Sequence, residues 1–404
     1  MKNRSHFLIL LLLIILPGCN EEVPGLKPSG LNSAFTLTPD SDFRTYIRHY
    51  RQIIEGSRID LDGPDREKII EANLPFEMVP EENGKPVNGI LLIHGLFDSP
   101  YHMRDLGRHF RERGFLVRAI LLPGHGTVPG DQTEVTMEEW VKATEYGVSS
   151  LKREVDRVFI GGFSTGGALA VLHALKNPDG VAGLFLFSPC LKVNTGFDRL
   201  AGTLSTFKTW LITRKSVDYA RYESFAANSA AQVYLLTREI ASLSAENRLT
   251  LPAFTVLSRE DRTVDSEFTI DFFMKKIPSP ESRLLIYGDK RTNSFSDPRI
   301  TVSAVGGTSA NILSSAHTAI TIPPTDTHYG ANGDYLNCLH YFFSSAKSEE
   351  CRTGENIPYG EITRHHLAKG TMRRLTWNPK YREMLAGIDD FLTNLPDGRV
   401  KSEE

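Results

Sequence analysis

Apolar residues along this chain fall into short unbroken runs, separated by stretches in which they recur every three or four positions. The runs at 90–93, 116–121, 155–160, 181–187, 252–257 and 283–287 have strand length. They read as strands buried on both faces of a parallel sheet. Helix-like periodicity lies between them, at 103–113, around Met137-Glu138-Glu139-Trp140, at 168–175 and at 267–276. Before the first run, 42–54 carries Phe43, Ile47, Tyr50 and Ile54 on one helical face, and 76–80 reads as a first strand. After the last, 301–304 reads as an extra edge strand. The stretch 384–395, with Leu385, Ile388, Phe391 and Leu392, reads as a final packed helix. Alternating strands and helices require a mostly parallel sheet with right-handed crossovers and helices on both faces. Residues 191–249 break this rhythm. They are helix-rich and carry aromatics that look exposed: Phe207, Trp210, Tyr219, Tyr222 and Phe225. Residues 321–374 read as irregular.

The run at 155–160 leads into Gly161-Gly162-Phe163-Ser164-Thr165-Gly166-Gly167, and a helix-like segment follows. Gly162, Ser164 and Gly166 spell G-x-S-x-G. With a strand before it and a helix behind it, this motif places the serine on a sharp turn, the nucleophile elbow of the α/β-hydrolase fold. The turn is strained, and a Cβ two residues to either side of the serine would collide with neighbouring backbone. The hydroxyl then sits at a helix N-terminus, where N–H groups and the dipole favour developing negative charge. Thr165, the residue after the nucleophile, offers one backbone donor to an oxyanion.

A serine hydroxyl is a weak nucleophile near neutral pH. It needs a base within hydrogen-bond reach and a third group to orient that base. In this fold the chain order is Ser, then Asp or Glu, then His. Asp261, in Arg259-Glu260-Asp261-Arg262 just after the run at 252–257, is the first choice of acid; the other reading is a solvated charge cluster. Asp289 also ends a strand and is the rival. Glu260 is expected to point elsewhere, and Asp265 falls a turn later. Five histidines follow. His317, after Asn311-Ile312-Leu313 and between small residues, is the first choice of base, and His328 the second. His340 reads as packed among aromatics, and His365-His366 as a solvated pair. His94 and His125 precede Ser164 and read as structural.

His94-Gly95-Leu96, Pro123-Gly124-His125-Gly126, Trp140 at its spacing, and Gly162-Phe163-Ser164-Thr165-Gly166-Gly167 together resemble the carboxylesterase and monoacylglycerol-lipase branch of the α/β hydrolases, which is grouped with serine aminopeptidase-like hydrolases. The likeness is strong over about 75–190 and readable to 395. It implies an α/β-hydrolase core at 36–190 and 250–404, interrupted by a helical cap at 191–249. It implies Leu96 as the second oxyanion donor and Asp261 as the acid. The implied reaction is hydrolysis of an acyl ester through an acyl-enzyme, with no cofactor and no metal. An amide or thioester hydrolase on the same fold, or a non-catalytic envelope protein with a hydrolase-like core, are the alternatives, because fold alone does not set the bond cleaved.

Composition changes the picture only at the N-terminus. A net charge of −3 over 404 residues gives no reason to expect nucleic acid. Lys2 and Arg4 precede ten apolar residues, 7–16, which is signal-peptide length and too short to span a bilayer. The run ends Leu16-Pro17-Gly18-Cys19, which resembles a bacterial lipobox, with Pro17 where a small or polar residue is commoner. The resemblance implies a signal peptide at 1–18, lipidation of Cys19, a tether at 19–35 rich in Pro and Gly, and anchoring in the cell envelope. Asn20 is not the aspartate of an inner-membrane retention signal, which favours the outer membrane, facing the periplasm. Three cysteines then remain in an oxidising compartment. Cys338 and Cys351 flank a short polar segment and are expected to be joined, with Cys190 a buried thiol.

Overall fold

Among the described residues, eight strands form the central sheet in the order β1-β3-β2-β4-β5-β8-β9-β10. They are β1 (Phe76–Met78), β2 (Asn88–Ile93), β3 (Leu116–Ile120), β4 (Arg157–Phe163), β5 (Val181–Phe187), β8 (Ala253–Ser258), β9 (Arg283–Tyr287) and β10 (Ile300–Ser303). Only β1 runs antiparallel, against β3; every other pairing in this sheet is parallel. The computed structural model describes residues 23–31, 41–81, 84–194, 208–289, 295–305 and 311–396. The export segment, Cys19 and Phe207 lie outside the described residues.

Parallel strands need crossovers, and the helices that supply them bury both faces of the sheet. One face is covered by α1 (Phe43–Ser57), with the short helix α2 (Arg66–Asn73) adding Ile70 to the same core, and by α4 (Met137–Lys152) and α5 (Thr165–Lys176). The other is covered by α3 (Arg104–Glu112) and by the final helix, Tyr381–Thr393. Local chemistry sets where these helices begin. Asp42 accepts from the Thr45 N–H at the start of α1. Thr136 and Glu139 cap α4 reciprocally, each side chain bonded to the other's backbone N–H. One turn on, Trp140 is fully buried and donates its indole N–H to the Pro123 carbonyl at 2.9 Å, fixing the loop after β3.

The strand order reverses between β2 and β4. The connection from β2 leads outward to β3, and the connection from β4 leads the other way to β5. A ligand crevice is expected beyond the carboxyl ends of the strands at such a switch point. His94-Gly95-Leu96 leaves β2 there and Ser164 leaves β4 there, side by side.

Two stretches hold more order than the residue pattern suggests. The described part of the segment between β5 and β8 contains, besides the long helix α6 (Ala227–Glu246), an antiparallel pair of short strands, β6 (Trp210–Ile212) and β7 (Phe225–Ala226). Its aromatics are not solvent-facing: Tyr222 is buried, and Trp210, Tyr219 and Phe225 are half-buried. The C-terminal stretch expected to be irregular carries a 3₁₀ turn (Leu339–Tyr341), a helix (Ser345–Thr353) and two paired strands, Tyr359–Gly360 and Arg373–Arg374.

A disulfide joins Cys338 to Cys351, with a Cα–Cα distance of 6.0 Å, and staples the 3₁₀ turn to the helix that follows. Closing a loop of this size stabilises by about 3 kcal/mol in the chain-entropy model. The double substitution Cys338→Ala/Cys351→Ala should therefore lower the denaturant unfolding free energy by about that amount. An unchanged midpoint and slope would show that the staple contributes nothing.

Candidate active site

Ser164 occupies the turn between β4 and α5 with φ +53° and ψ −113°, a left-handed conformation rare for a residue with a side chain. The flanking glycines make the turn possible. A Cβ on Gly162 would fall on the Gly166 carbonyl, and one on Gly166 would fall on the carbonyls of Ile93 and His94. The turn is pinned from outside: the Ser164 N–H donates to the Phe187 carbonyl at 2.9 Å, and the Ser164 carbonyl accepts from Ala168 and Cys190.

His317 Nε2 lies 3.0 Å from Ser164 Oγ, and His317 Nδ1 lies 2.6 Å from Asp261 Oδ2. Asp261 is only 3% exposed, so it is no solvated charge. Its other oxygen accepts the N–H groups of Thr263 and Val264 at 2.8 and 2.9 Å, which fixes the carboxylate plane. With Nδ1–H donated to the carboxylate, Nε2 is left to accept from the serine hydroxyl; that tautomer follows from the hydrogen-bond network. Phe163 packs its ring 5.0 Å from the imidazole.

The other candidates lie elsewhere. Asp289 is exposed at the end of β9. Asp265 caps the helix Ser266–Lys276 through the Phe268 N–H. His328 is held between Asp218, 3.2 Å from Nε2, and Asp334 at Nδ1. Burial works against its charge, but hydrogen bonds to these carboxylates more than offset that and raise its pKa above the usual histidine value. His366 is buried rather than solvated: its ring bonds the Glu361 carbonyl at 3.0 Å and approaches Glu260 at 3.5 Å. His94 accepts the Leu122 N–H and bonds the Gly95 carbonyl, bracing two loops of the crevice. Burial pushes His125 down to about 4, and His94 is also held well below the usual range by burial, so both are neutral.

Leu96 and Thr165 border the cavity beside Ser164. Among the described residues, no acceptor is placed for either backbone N–H. The cavity holds about 710 Å³. Leu211, Ile212, Phe225, Val233 and Tyr234 supply an apolar wall from β6, β7 and α6, and Cys190 also lines the cavity. Arg214, Arg221 and Glu223 add charge from the same segment. Arg221 Nε sits 3.5 Å from Asp98, and Arg214 donates to the Leu339 carbonyl at 2.5 Å. Asp218 is buried and accepts both contacts of the Tyr329 hydroxyl, at 2.8 and 2.7 Å, which ties this wall to the C-terminal segment.

One pair had no signal in the residue pattern. Glu361 is fully buried, and its carboxylate accepts the backbone N–H of His317 at 3.0 Å. Arg374 grips the same carboxylate with Nε at 2.8 Å and Nη2 at 3.0 Å, and reaches Thr263 Oγ1 at 2.8 Å. Burial disfavours the Glu361 charge, but the Arg374 guanidinium more than compensates and holds the carboxyl below the usual carboxylate range. The pair thus joins the loop of Asp261 to the loop of His317. Its members come from segments 44 to 111 residues away from their partners, and no spacing rule connects them.

The profile of the family described as serine aminopeptidase, S33, matches residues 84–244. A thermostable monoacylglycerol lipase of Bacillus sp. (strain H-257) is 30% identical over 211 residues, covering 50% of this chain and 81% of that protein. A carboxylesterase of Bacillus subtilis (strain 168) is 25% identical over 196 residues, covering 44% of this chain and 74% of that protein. A solved structure from work on the metagenome-derived lipolytic enzymes LipS and LipT superposes with a TM-score of 0.47 at 25% identity, over 53% of this chain and 86% of that one. The chain belongs to the serine aminopeptidase S33 family of α/β hydrolases and is a carboxylic ester hydrolase.

Proposed function

We propose that Ser164 is the nucleophile, His317 the general base and acid, and Asp261 the group that orients and stabilises the imidazolium. The continuous line Asp261–His317–Ser164 beside the cavity carries this reading. Ser164 Oγ attacks the ester carbonyl carbon as its proton passes to His317 Nε2. The oxyanion accepts the N–H groups of Leu96 and Thr165. The tetrahedral intermediate collapses, the C–O bond to the alcohol breaks, and the alcohol leaves with the proton from Nε2. Water, deprotonated by the same nitrogen, then attacks the acyl-serine and releases the acid.

The cavity supports a single-chain acyl ester as substrate, monoacylglycerol or a short- to medium-chain ester. The apolar wall suits an acyl chain, and the charged groups around Arg221 suit a polar alcohol. The monoacylglycerol-lipase and carboxylesterase names of the relatives point the same way. The lipobox-like segment ending at Cys19 supports a lipid-anchored enzyme of the bacterial envelope.

Ser164→Ala should lower kcat on a monoacylglycerol by about 10⁴-fold or more while leaving the unfolding midpoint near that of the parent. His317→Ala should lose a similar factor, and His328→Ala far less, because His328 clasps Asp218 and Asp334 instead. Residual activity of Ser164→Ala within tenfold of the parent would remove the assignment, and a reversed histidine ranking would move the base.

The Glu361–Arg374 pair generates a second expectation. Glu361→Gln leaves the half-buried Arg374 guanidinium without its counter-charge, which costs about 1.5–3 kcal/mol of stability, the contribution of a hydrogen bond to a charged group. Replacing both by apolar groups, E361L with R374M, should recover much of that stability, since such replacements are often near neutral. The double variant should nonetheless stay at least about tenfold slow in kcat, because the His317 N–H has lost its acceptor and one such hydrogen bond to a charged group contributes about 1.5–3 kcal/mol. Full recovery of kcat along with stability would reduce the pair to a structural role.

A further inference from the structure

Among the described residues, Phe343 stands almost wholly in water, 96% exposed, and its neighbour Phe342 is 45% exposed. Isolated exposed apolar residues are ordinary, but two adjacent phenylalanines at the end of a rigid turn are not. The turn is held on both sides. Cys338, bonded to Cys351, opens it, and the Tyr341 hydroxyl accepts the Met372 N–H at 3.0 Å. Phe343 follows, its ring 4.7 Å from that of Phe342.

This tip sits at the rim of the ester-hydrolase cavity. Leu339, one turn back, lines that cavity, and so does Arg214, whose guanidinium lies 4.5 Å over the Phe342 ring. Two cations lie over rings of this turn. Arg214 lies beneath it, exposed Lys215 follows Arg214 in the chain, and Lys347 lies 6.0 Å over the Tyr341 ring. Exposed Val217 adds an apolar residue to the same loop as Lys215. Glu349 and Glu350 sit further along the helix Ser345–Thr353, and Glu350 is engaged with the Thr371 hydroxyl.

We propose that Phe342 and Phe343 form a wedge that inserts into an anionic lipid surface and sets the cavity mouth against it. Arg214 and Lys347, with exposed Lys215 next to Arg214 in the chain, meet the headgroups, and the two rings enter the acyl boundary, as aromatic and basic residues do at membrane interfaces. A cavity that takes an acyl chain gains by opening directly onto the phase in which that chain dissolves. This role rests on the ester-hydrolase reading for its purpose, but not for its detection.

The test uses the full chain and phosphatidylglycerol vesicles, with and without monoacylglycerol. Phe343→Trp should show an emission shift to the blue and quenching by brominated acyl chains beyond that of the three native tryptophans. Phe343→Ser should hydrolyse vesicle-embedded monoacylglycerol about tenfold more slowly, the loss expected for withdrawing one aromatic ring from an interface, while a water-soluble butyrate ester is cleaved at the parental rate. Its side chain touches almost nothing, so folding is not at stake. Unquenched Phe343→Trp, or parental rates of Phe343→Ser on the vesicles, overturns the proposal. So does a dimer in solution that Phe343→Ser dissociates, because the tip then belongs to a second copy of the chain. Quenching requires no turnover, so a failure of the ester reading would leave this result standing on its own.

Discussion

A parallel strand can present a side chain beyond its end only if the backbone turns sharply, and the turn at Ser164 is what everything at this site depends on. The left-handed backbone of Ser164 is stabilised by hydrogen bonds to Phe187, Ala168 and Cys190, and it is sterically possible only because Gly162 and Gly166 lack side chains. The same turn delivers Thr165 as the first residue of a helix with an open N–H. The strand order then places the loop after β2, with Leu96, next to it. A strained serine, two free amides and a crevice therefore arise from one junction in the sheet.

What the junction does not supply is the position of His317. Asp261 and His317 sit on loops after β8 and beyond β10, and loops hold geometry poorly unless something fixes them. Here the fixing is done late in the chain. Glu361 and Arg374 pack beneath both loops, and the disulfide, the short strand pair and the Asp218–Tyr329 contact hold the surrounding segment in place. The C-terminal region is thus part of the active-site support as well as one wall of the cavity. It also carries the exposed phenylalanines, so the segment that positions His317 is continuous with the one that faces outward at the rim.

The sheet, its helices and the position of Ser164 were legible because each leaves a local mark: buried strands as apolar runs, helices as a 3.6 period, the elbow as glycines at fixed offsets. Asp261 and His317 could be proposed because the fold imposes a chain order on them. Glu361, Arg374 and Asp218 could not, since a buried ion pair or hydrogen bond between distant segments has no period and no spacing. Tyr222 and His366 were misjudged for a related reason. Short polar neighbours make a residue look solvated, whereas Tyr222 is covered by Thr127 and the loop after β3, and His366 by the Glu361 backbone.

One serine, Ser164, activated through His317, is expected to form a covalent acyl adduct. The most direct measurement is to treat the full chain with a fluorophosphonate and locate the adduct by peptide mass spectrometry. A single adduct on the peptide containing Ser164, formed at stoichiometric yield and lost in His317→Ala, is the expected result. No adduct on the folded parent, or an adduct on a different serine such as Ser188 or Ser315, would contradict the assignment.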